Sequence, residues 1–394
     1  MNSNLLMLAF CQALLLTNNV SFIAINGLVG WSLAPMGWMA TLPVTGYVVG
    51  AALSAMPVAR LQSRVGRKRS FQLGLLVAAL SAALCALAVT LGNFWLLVLA
   101  TVVAGFYSAN GALYRFAGPE LVAPAFKERA ISWVLAGGVA GAFMGPNLAS
   151  ATRTWLQVPF AGAYIALVGV ALLGLAVMSF IRFPEHAPPV PGAPKGRPLA
   201  ELARQPVFVV AIIAAALSYG VMNLLMAATP IAMQQCKHPF ESAALVLEWH
   251  VLGMFVPSFF TGNLIKRFGA LPVMGVGAVL NLVAVGVALS GVDLMQFLVA
   301  LFALGVGWNF LYTGGSTLLT QTHTPEEKYR AQGTMDSAVF WTMALTSFSS
   351  GALITTQGWT WLNLGSLLPI ALVSTALIWL ALHKRRMVLA EPAG

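Results

Sequence analysis

Charged residues and cysteines are both scarce in this sequence. Only 8% of its 394 positions are Asp, Glu, Lys or Arg, whereas about 25% are charged in soluble domains, so an ordinary soluble protein is excluded. The three cysteines, Cys11, Cys85 and Cys236, are too few and too scattered for a disulfide framework or a metal site. We therefore expect no redox chemistry and no bound metal.

Motifs that carry chemistry in enzymes are also missing. The sequence has no phosphate-binding Walker loop, no nucleophile elbow and no cluster of metal ligands, and the stretch "GVGWNF" at Gly305–Phe310 lies inside an apolar run. An enzyme needs catalytic groups within hydrogen-bond reach of one another, and the ionisable residues inside the apolar runs are too few and too far apart. We expect no enzymatic activity and no cofactor.

Apolar residues, by contrast, occupy 59% of the positions. They form runs of about 20 residues, long enough to cross a hydrocarbon core of roughly 30 Å as a helix, and a helix is required because lipid offers backbone groups no hydrogen-bond partner. The expected fold class is an all-α membrane protein with twelve transmembrane helices. The expected spans are 5–29, 37–59, 71–90, 94–115, 130–151, 157–181, 206–232, 243–265, 273–290, 294–318, 333–355 and 362–382.

Lysine and arginine are distributed unevenly around these spans. With the N-terminus in the cytoplasm, 19 of the 21 basic residues fall in cytoplasmic loops, and only Arg153 and Lys237 fall outside. This is the positive-inside pattern, and it explains the net charge of +10 without a nucleic-acid partner. We expect a multi-pass protein of a bacterial inner membrane, surrounded by lipid, with both termini in the cytoplasm.

The chain divides into two similar halves. A proline-rich, charged stretch at 182–205 is expected to be a cytoplasmic linker between a six-helix bundle at 1–181 and a second bundle at 206–394 that ends in a short cytoplasmic tail. Identical residues recur at a fixed offset of 203 positions, and we interpret one half as a duplicate of the other. These identities include Gly50/Gly253, Arg64/Arg267 and Gly66/Gly269.

The two halves, the central linker and the basic loop "RVGRK" at Arg64–Lys68 resemble the Major Facilitator Superfamily over essentially the whole chain. The pattern is most similar to bacterial permeases that couple drugs or metabolites to protons. The resemblance implies two pseudo-symmetric six-helix bundles that rock around a site near the membrane midplane. It also implies a small-molecule substrate, protons as the coupling ion and a monomeric protein.

The same resemblance points to a cytoplasmic gate. The family's loop after helix two reads G-x-x-x-D-R-x-G-R-R/K, but here Ala59 replaces the first glycine and Ser63 replaces the acid. The gate residues that match are Arg64, Gly66 and Arg67, with Arg267 in the second half. Asp336, near the start of the eleventh span, is expected to supply the missing acid by pairing with Arg64 or Arg67 when the protein is open outward. The alternative is an Asp that only complements the dipole of its own helix N-terminus.

Helix five carries Gly141, Gly145 and Pro146, which are similar to the G-x-x-x-G-P core of the family's antiporter motif. Small residues let helices approach closely and proline loosens the backbone, so this stretch indicates either antiport or a packing face with a kink. The motif's later glycine pair is absent. Tyr107 stands where antiporters of the family carry an Arg in helix four.

Two ionisable residues, Glu248 and His250, lie inside the eighth span. At about 100° per residue their side chains point about 200° apart, so they cannot share one face of the helix. Glu248 is a candidate for proton coupling, or else a boundary residue that reaches water at the outer surface. His250 is a second coupling candidate, or else a hydrogen-bonded structural histidine.

Amides and phenols are concentrated in spans one, four, seven and ten, which surround the cavity in this family. The candidate substrate-cavity residues are Asn18, Asn19, Tyr107, Asn110, Tyr114, Tyr219, Asn223, Asn309 and Tyr312. Such groups suit a substrate with hydrogen-bonding groups and flat apolar parts, although each Asn alone would equally join two helices. The leading hypothesis is proton-driven efflux of an aromatic or amphipathic compound by antiport. The alternative is uptake of a riboflavin-like vitamin or another metabolite by symport or facilitation.

Overall fold

The computed structural model describes residues 2–36, 39–184 and 196–390, and these ranges are almost entirely helical and hold no β-strand. Residues 37–38, at the start of the second expected span, and 185–195, in the middle of the expected linker, lie outside the described residues. The helices of the first half are α1 Ser3–Leu33, α2 Leu42–Thr90, α3 Phe94–Ala112, α4 Tyr114–Ala117, α5 Lys127–Ala136, α6 Gly138–Thr152 and α7 Ala161–Phe180. Those of the second half are α8 Leu199–Leu202, α9 Pro206–Gln235, α10 Phe240–Phe255, α11 Ser258–Phe268, α12 Ala270–Ser290, α13 Leu294–Leu319, α14 Lys328–Thr356 and α15 Gly358–Ala390.

Eleven stretches of helix in the described ranges are long and apolar enough to cross a membrane. Twelve were expected, and the difference lies in α2, whose 49 residues hold the second and third spans together. Gly66 interrupts this helix with φ 81° and ψ 171°, a backbone region that is essentially restricted to glycine. The expected all-α membrane fold is confirmed.

Local sequence explains several helix ends. Asn2 caps α1 by accepting a hydrogen bond from the backbone N–H of Asn4, and Asn93 caps α3 by accepting one from Leu96. Pro206 opens α9, where the missing proline N–H costs nothing because the first turn has no intrahelical partner for it.

Contacts group the chain into two units. One comprises Met1–Pro194 with Gln332–Ala344, and the other comprises Lys195–Ala331 with Leu345–Gly394. Each unit has its own apolar core, built around Phe22 and Tyr164 in the first and around Phe297 and Trp359 in the second. The division into bundles at 1–181 and 206–394 stays a prediction.

The proposed internal repeat has a counterpart in the backbone. Gly269, which lies 203 positions after Gly66, has φ 86° and ψ 161°, close to the φ 81° and ψ 171° of Gly66. Both glycines follow an amphipathic helix end that carries arginine. The same rare conformation at matched positions supports the interpretation that the halves arose by duplication.

Candidate functional site

The carboxylate of Asp336 lies in α14 and forms an ion pair with the guanidinium of Arg115 in α4. Both side chains are almost fully buried, with exposed fractions of 2% and 1%. Arg115 also donates to the carbonyl oxygen of Ala112 and lies 4.2 Å from the ring centroid of Phe116. The expected pairing of Asp336 with Arg64 or Arg67 is therefore corrected to Arg115, which the sequence had suggested only as a topology charge.

Arg67 forms a second polar cluster beside this pair. Its guanidinium lies 2.9 Å from Glu120 Oε1 and 2.6 Å from Gln332 Oε1, and it also donates to Gln62. The backbone break at Gly66 precedes Arg67, which is buried, whereas Arg64 and Arg267 are exposed. Of the basic gate residues expected from the loop, Arg67 is the one that the structure joins to α14.

Helices α2 and α14 approach closely at the same level. A Cβ atom on Gly333 would collide with the Cβ of Ala59. Ala59 occupies the position where the family pattern has a glycine. The contact is still between two small residues, Ala59 on α2 and Gly333 on α14. This close approach brings Gln332 within reach of Arg67.

Two of the five candidate cavity residues of the first unit make hydrogen bonds with neighbouring helices. Asn19 accepts from the hydroxyl of Tyr47, and Asn110 accepts from Ser70 Oγ at 2.8 Å. The remaining three, Asn18, Tyr107 and Tyr114, are buried. The structure thus gives Asn19 and Asn110 the helix-joining contacts that were the alternative to a substrate role.

Asn309 in α13 is the most fully bonded of the candidates. Its Oδ1 accepts from Thr261, and its Nδ2 donates to Ser258 Oγ at 2.6 Å and to the Met254 carbonyl oxygen at 2.7 Å. Asn223 in α9 donates to Thr346 and Ser347 in α14. These contacts join helices within the second unit, and a role in substrate binding stays a prediction for both residues.

The second unit also holds a cluster of four aromatic side chains, Tyr219, Phe255, Trp308 and Tyr312. Trp308 and Tyr312 are stacked, with ring centroids 5.0 Å apart and an interplanar angle of 16°. Tyr219 stands edge-on to both at 5.3 Å, and Phe255 closes the other side of Trp308 at 5.8 Å. The sequence analysis predicted the two tyrosines and missed Trp308, although its spacing of one helical turn from Tyr312 was a usable signal.

The two candidates for proton coupling differ in their surroundings. His250 is fully buried, and its Nδ1 lies 2.6 Å from the carbonyl oxygen of Leu301, a distance at which the ring N–H donates to that oxygen. Glu248 is exposed. The hydrogen bond of His250 fits the structural alternative, and the coupling role of either residue stays a prediction.

The glycines of the antiporter-like motif form a packing face. Side chains at Gly141 and Gly145 would contact α1 at Ala13, Thr17 and Val20, and Ser21 Oγ donates to the Gly145 carbonyl oxygen at 2.8 Å. Pro146 lies inside α6. The motif therefore fits close approach of two helices, and a connection with antiport stays a prediction.

An ion pair that the sequence did not suggest joins Arg197, just after the expected linker's middle, to Glu327, just before α14. The two side chains form a bidentate contact of 2.8 Å, and Glu327 Oε1 also accepts from the backbone N–H of Arg197 at 2.7 Å. The guanidinium hydrogen bond holds the pKa of Glu327 well below its ordinary value, at about 2. This ion pair holds Arg197 against the loop that precedes α14.

Metal ligands are not brought together in the part of the chain that the structure describes. No group of three or more His, Cys, Asp or Glu there is placed to hold a metal ion. The eleven apolar stretches of membrane-crossing length in the described ranges define a multi-pass membrane protein.

The chain belongs to the Major Facilitator Superfamily, whose profile matches residues 5–256 and 211–393. It is 38% identical over 377 residues to the riboflavin transporter RfnT of Brucella anthropi, with 95% of each chain covered. It is 26% identical over 376 residues to the uncharacterized transporter YdeG of Bacillus subtilis, covering 91% of this chain and 87% of that one.

Solved structures show the same fold. The transporter FucP in an outward conformation matches with a TM-score of 0.75 and 15% identity, over 94% of this chain and 98% of that chain. A bacterial homologue of the iron transporter ferroportin matches with a TM-score of 0.73 and 17% identity, over 95% and 98% of the two chains. At these identities the likeness concerns the fold alone.

Proposed function

We propose that this protein takes up riboflavin, or a vitamin of the same flat and hydrogen-bonding kind, by alternating access. The observation that carries the proposal is the 38% identity to a riboflavin transporter along 95% of both chains. The aromatic cluster around Trp308 supports it, because a flat heteroaromatic ring binds well against aromatic side chains. Uptake thereby replaces efflux as the leading hypothesis.

Efflux by antiport has less support. It was favoured because of Gly141, Gly145 and Pro146, and the first two have a sufficient explanation in the packing of α6 against α1. The residue at the helix-four arginine position is Tyr107, which is buried and uncharged. Neither observation calls for a proton antiport mechanism.

Proton coupling is part of the proposal, and Glu248 is the better candidate for it. The side chain of Glu248 is exposed, whereas the Nδ1 of buried His250 is held by the Leu301 carbonyl oxygen. In proteoliposomes, Glu248→Gln is expected to abolish riboflavin accumulation driven by an imposed proton gradient. Riboflavin exchange without a gradient should persist. Accumulation that survives in Glu248→Gln at the wild-type level removes Glu248 from the mechanism.

The Arg115–Asp336 pair and the Arg67–Glu120–Gln332 cluster act as the cytoplasmic gate in this proposal. Both clusters connect α14, from the second half of the sequence, with helices of the first half. Alternating access requires such contacts to form and break as the halves move. Arg64 and Arg267 are exposed and serve as topology charges in this scheme.

The experiment that tests the function is uptake of radiolabelled riboflavin. The host is a bacterium that neither makes nor imports riboflavin, and the chain is expected to restore both uptake and growth at low riboflavin. An empty vector is the first control, and an excess of unlabelled riboflavin is the second. The proposal is contradicted if cells that carry the protein in the membrane take up no riboflavin and extrude amphipathic dyes. Efflux would then be the leading hypothesis.

A further inference from the structure

Helix α13 packs closely against two neighbouring helices at glycines and carries the aromatic pair between those glycines in sequence. Gly305 lies against the backbone of α10 at His250, and Gly307 and Gly314 lie against α12, with no room for side chains. At about 100° per residue, Tyr312 lies within about 20° of Gly305 around the helix axis, and Trp308 lies about 60° from Gly305, where it contacts Phe255 of α10 and Tyr219 of α9. The closest approaches of α13 to α10 and α12 are made at these glycines, and the aromatic pair adds ring contacts with α9 and α10.

Trp308 carries an unused hydrogen-bond donor. Its side chain is 2% exposed, yet its indole Nε1–H has no hydrogen-bond partner among the described residues. Buried donors without an acceptor are rare and costly. An acceptor from a bound molecule removes that cost. Tyr219 contacts the pair edge-on and is only half-buried. A ligand would therefore reach the cluster from the side that Tyr219 covers.

The position of the cluster along the helices is also that of a transport site. Tyr219 lies near the middle of α9 and Trp308 near the middle of α13. In secondary transporters of this type, substrates bind near the bilayer midplane. All four aromatic residues belong to the second unit, so the site is complete within that unit.

We infer that Trp308 and Tyr312 form the surface on which the flat ring of the substrate stacks, with Tyr219 displaced and the Trp308 Nε1–H donating to the ring. The ligand class is an uncharged fused heteroaromatic ring with carbonyl or nitrogen acceptors along its edge. This inference rests on the proposed function, since an isoalloxazine ring has both features. Trp308 is then the residue that determines specificity for the ring.

The test is binding of riboflavin to the purified protein, measured by titration in detergent micelles. Trp308→Leu removes stacking and the donor together, and is expected to weaken binding by about tenfold to a hundredfold. Trp308→Phe keeps an aromatic face and loses the donor, and is expected to weaken it by roughly threefold to tenfold. Trp249→Leu, a change of an exposed tryptophan on α10, is the matched control and leaves binding unchanged.

A competition experiment on the unaltered protein avoids any dependence on how the variants fold. Lumiflavin, which keeps the ring and lacks the ribityl chain, is expected to displace riboflavin at a concentration within about tenfold of riboflavin itself. Ribitol is expected not to compete. Displacement by ribitol and not by lumiflavin overturns the inference.

The outcomes separate the inference from the function on which it rests. If the wild-type protein binds and transports riboflavin while Trp308→Leu and Trp308→Phe bind as tightly as wild type, the ring site is wrong and the function stands. If the wild-type protein neither binds nor transports riboflavin, the proposed function fails and the inference fails with it.

Discussion

Asp336 and Arg115 carry opposite charges at positions that water hardly reaches. Removing one partner of a buried ion pair leaves the other charge without compensation, at a cost of about 3–5 kcal/mol. Asp336→Asn is therefore expected to lower the free energy of unfolding by that amount and to reduce riboflavin uptake. Thermal unfolding of the purified protein and uptake in cells are the two measurements.

A double change and a surface control accompany this prediction. Asp336→Asn with Arg115→Gln removes both charges and is expected to recover most of the lost stability, because neither position then holds a buried charge without its partner. Arg64→Gln changes an exposed arginine of the same region and should shift stability by less than about 0.5 kcal/mol. Equal effects of Asp336→Asn and Arg64→Gln contradict a stabilising pair.

The sequence could not predict which basic residue pairs with Asp336. Asp336 stood out because acids are rare in membrane-embedded helices, but its partner lies 221 positions earlier in the chain. Arg115 looked like one of many cytoplasmic basic residues. Only the packing of α14 against the helices of the first unit selects Arg115 over Arg64 or Arg67. Sequence patterns carry little information on such contacts.

At the level of single elements, α6 packs against α1 through its glycines. A Cβ atom on Gly141 would lie 2.8 Å from Leu16 Cβ and 2.9 Å from the Thr17 backbone nitrogen, besides meeting the Ala13 carbonyl oxygen. Gly141→Ala is expected to destabilise the protein by about 1–3 kcal/mol, because these backbone atoms cannot move aside easily. Thermal unfolding measures the change.

Gly169 provides the control for this comparison. It lies within α7, and a Cβ atom there would meet nothing within 4 Å. Gly169→Ala is expected to be neutral or to stabilise by up to about 1 kcal/mol, since alanine favours helix over glycine. A destabilisation by Gly169→Ala as large as that by Gly141→Ala would show that helix packing at Gly141 is not the cause.

The contact between Arg197 and Glu327 predicts a dependence of stability on pH. Hydrogen bonds from Arg197 lower the pKa of Glu327 from an ordinary 4.5 to about 2 in the folded protein. The stabilisation is therefore present above pH 4.5, where both states are ionised, and is lost as pH falls from about 4.5 to about 2. Glu327→Gln should lower the melting temperature at pH 7.

The pH series decides this prediction. The difference in melting temperature between wild type and Glu327→Gln is expected to be full at pH 7 and to shrink steadily below pH 4.5. Asp293→Asn, which changes an exposed acid, serves as the control and should show no such trend. A difference that is constant from pH 7 to pH 3 rules out the ion pair as its source.

For the whole molecule, the helices were predictable because each one must satisfy its own backbone in lipid. An apolar run of sufficient length therefore predicts a helix whatever helices pack around it. The twelve expected spans match the helices once α2 is divided at Gly66. The repeat of Gly66 at Gly269 could be recognised in the sequence for a similar reason, because the backbone conformation at a glycine depends mainly on the residue itself. Trp308 and Asn309 were harder, because their contacts with α9, α10 and α11 arise only when the helices pack.

The orientation of the chain in the membrane is the last prediction. Because nearly all basic residues lie in loops assigned to the cytoplasm, the positive-inside rule places position 153 outside and position 383 inside. In a Cys236→Ser background, Arg153→Cys should react with a membrane-impermeant maleimide added to intact spheroplasts, and His383→Cys only after permeabilisation. Cys11 and Cys85 are buried and give the unlabelled baseline. Labelling of His383→Cys in intact spheroplasts would invert the topology and, with it, the cytoplasmic assignment of the Arg115–Asp336 gate.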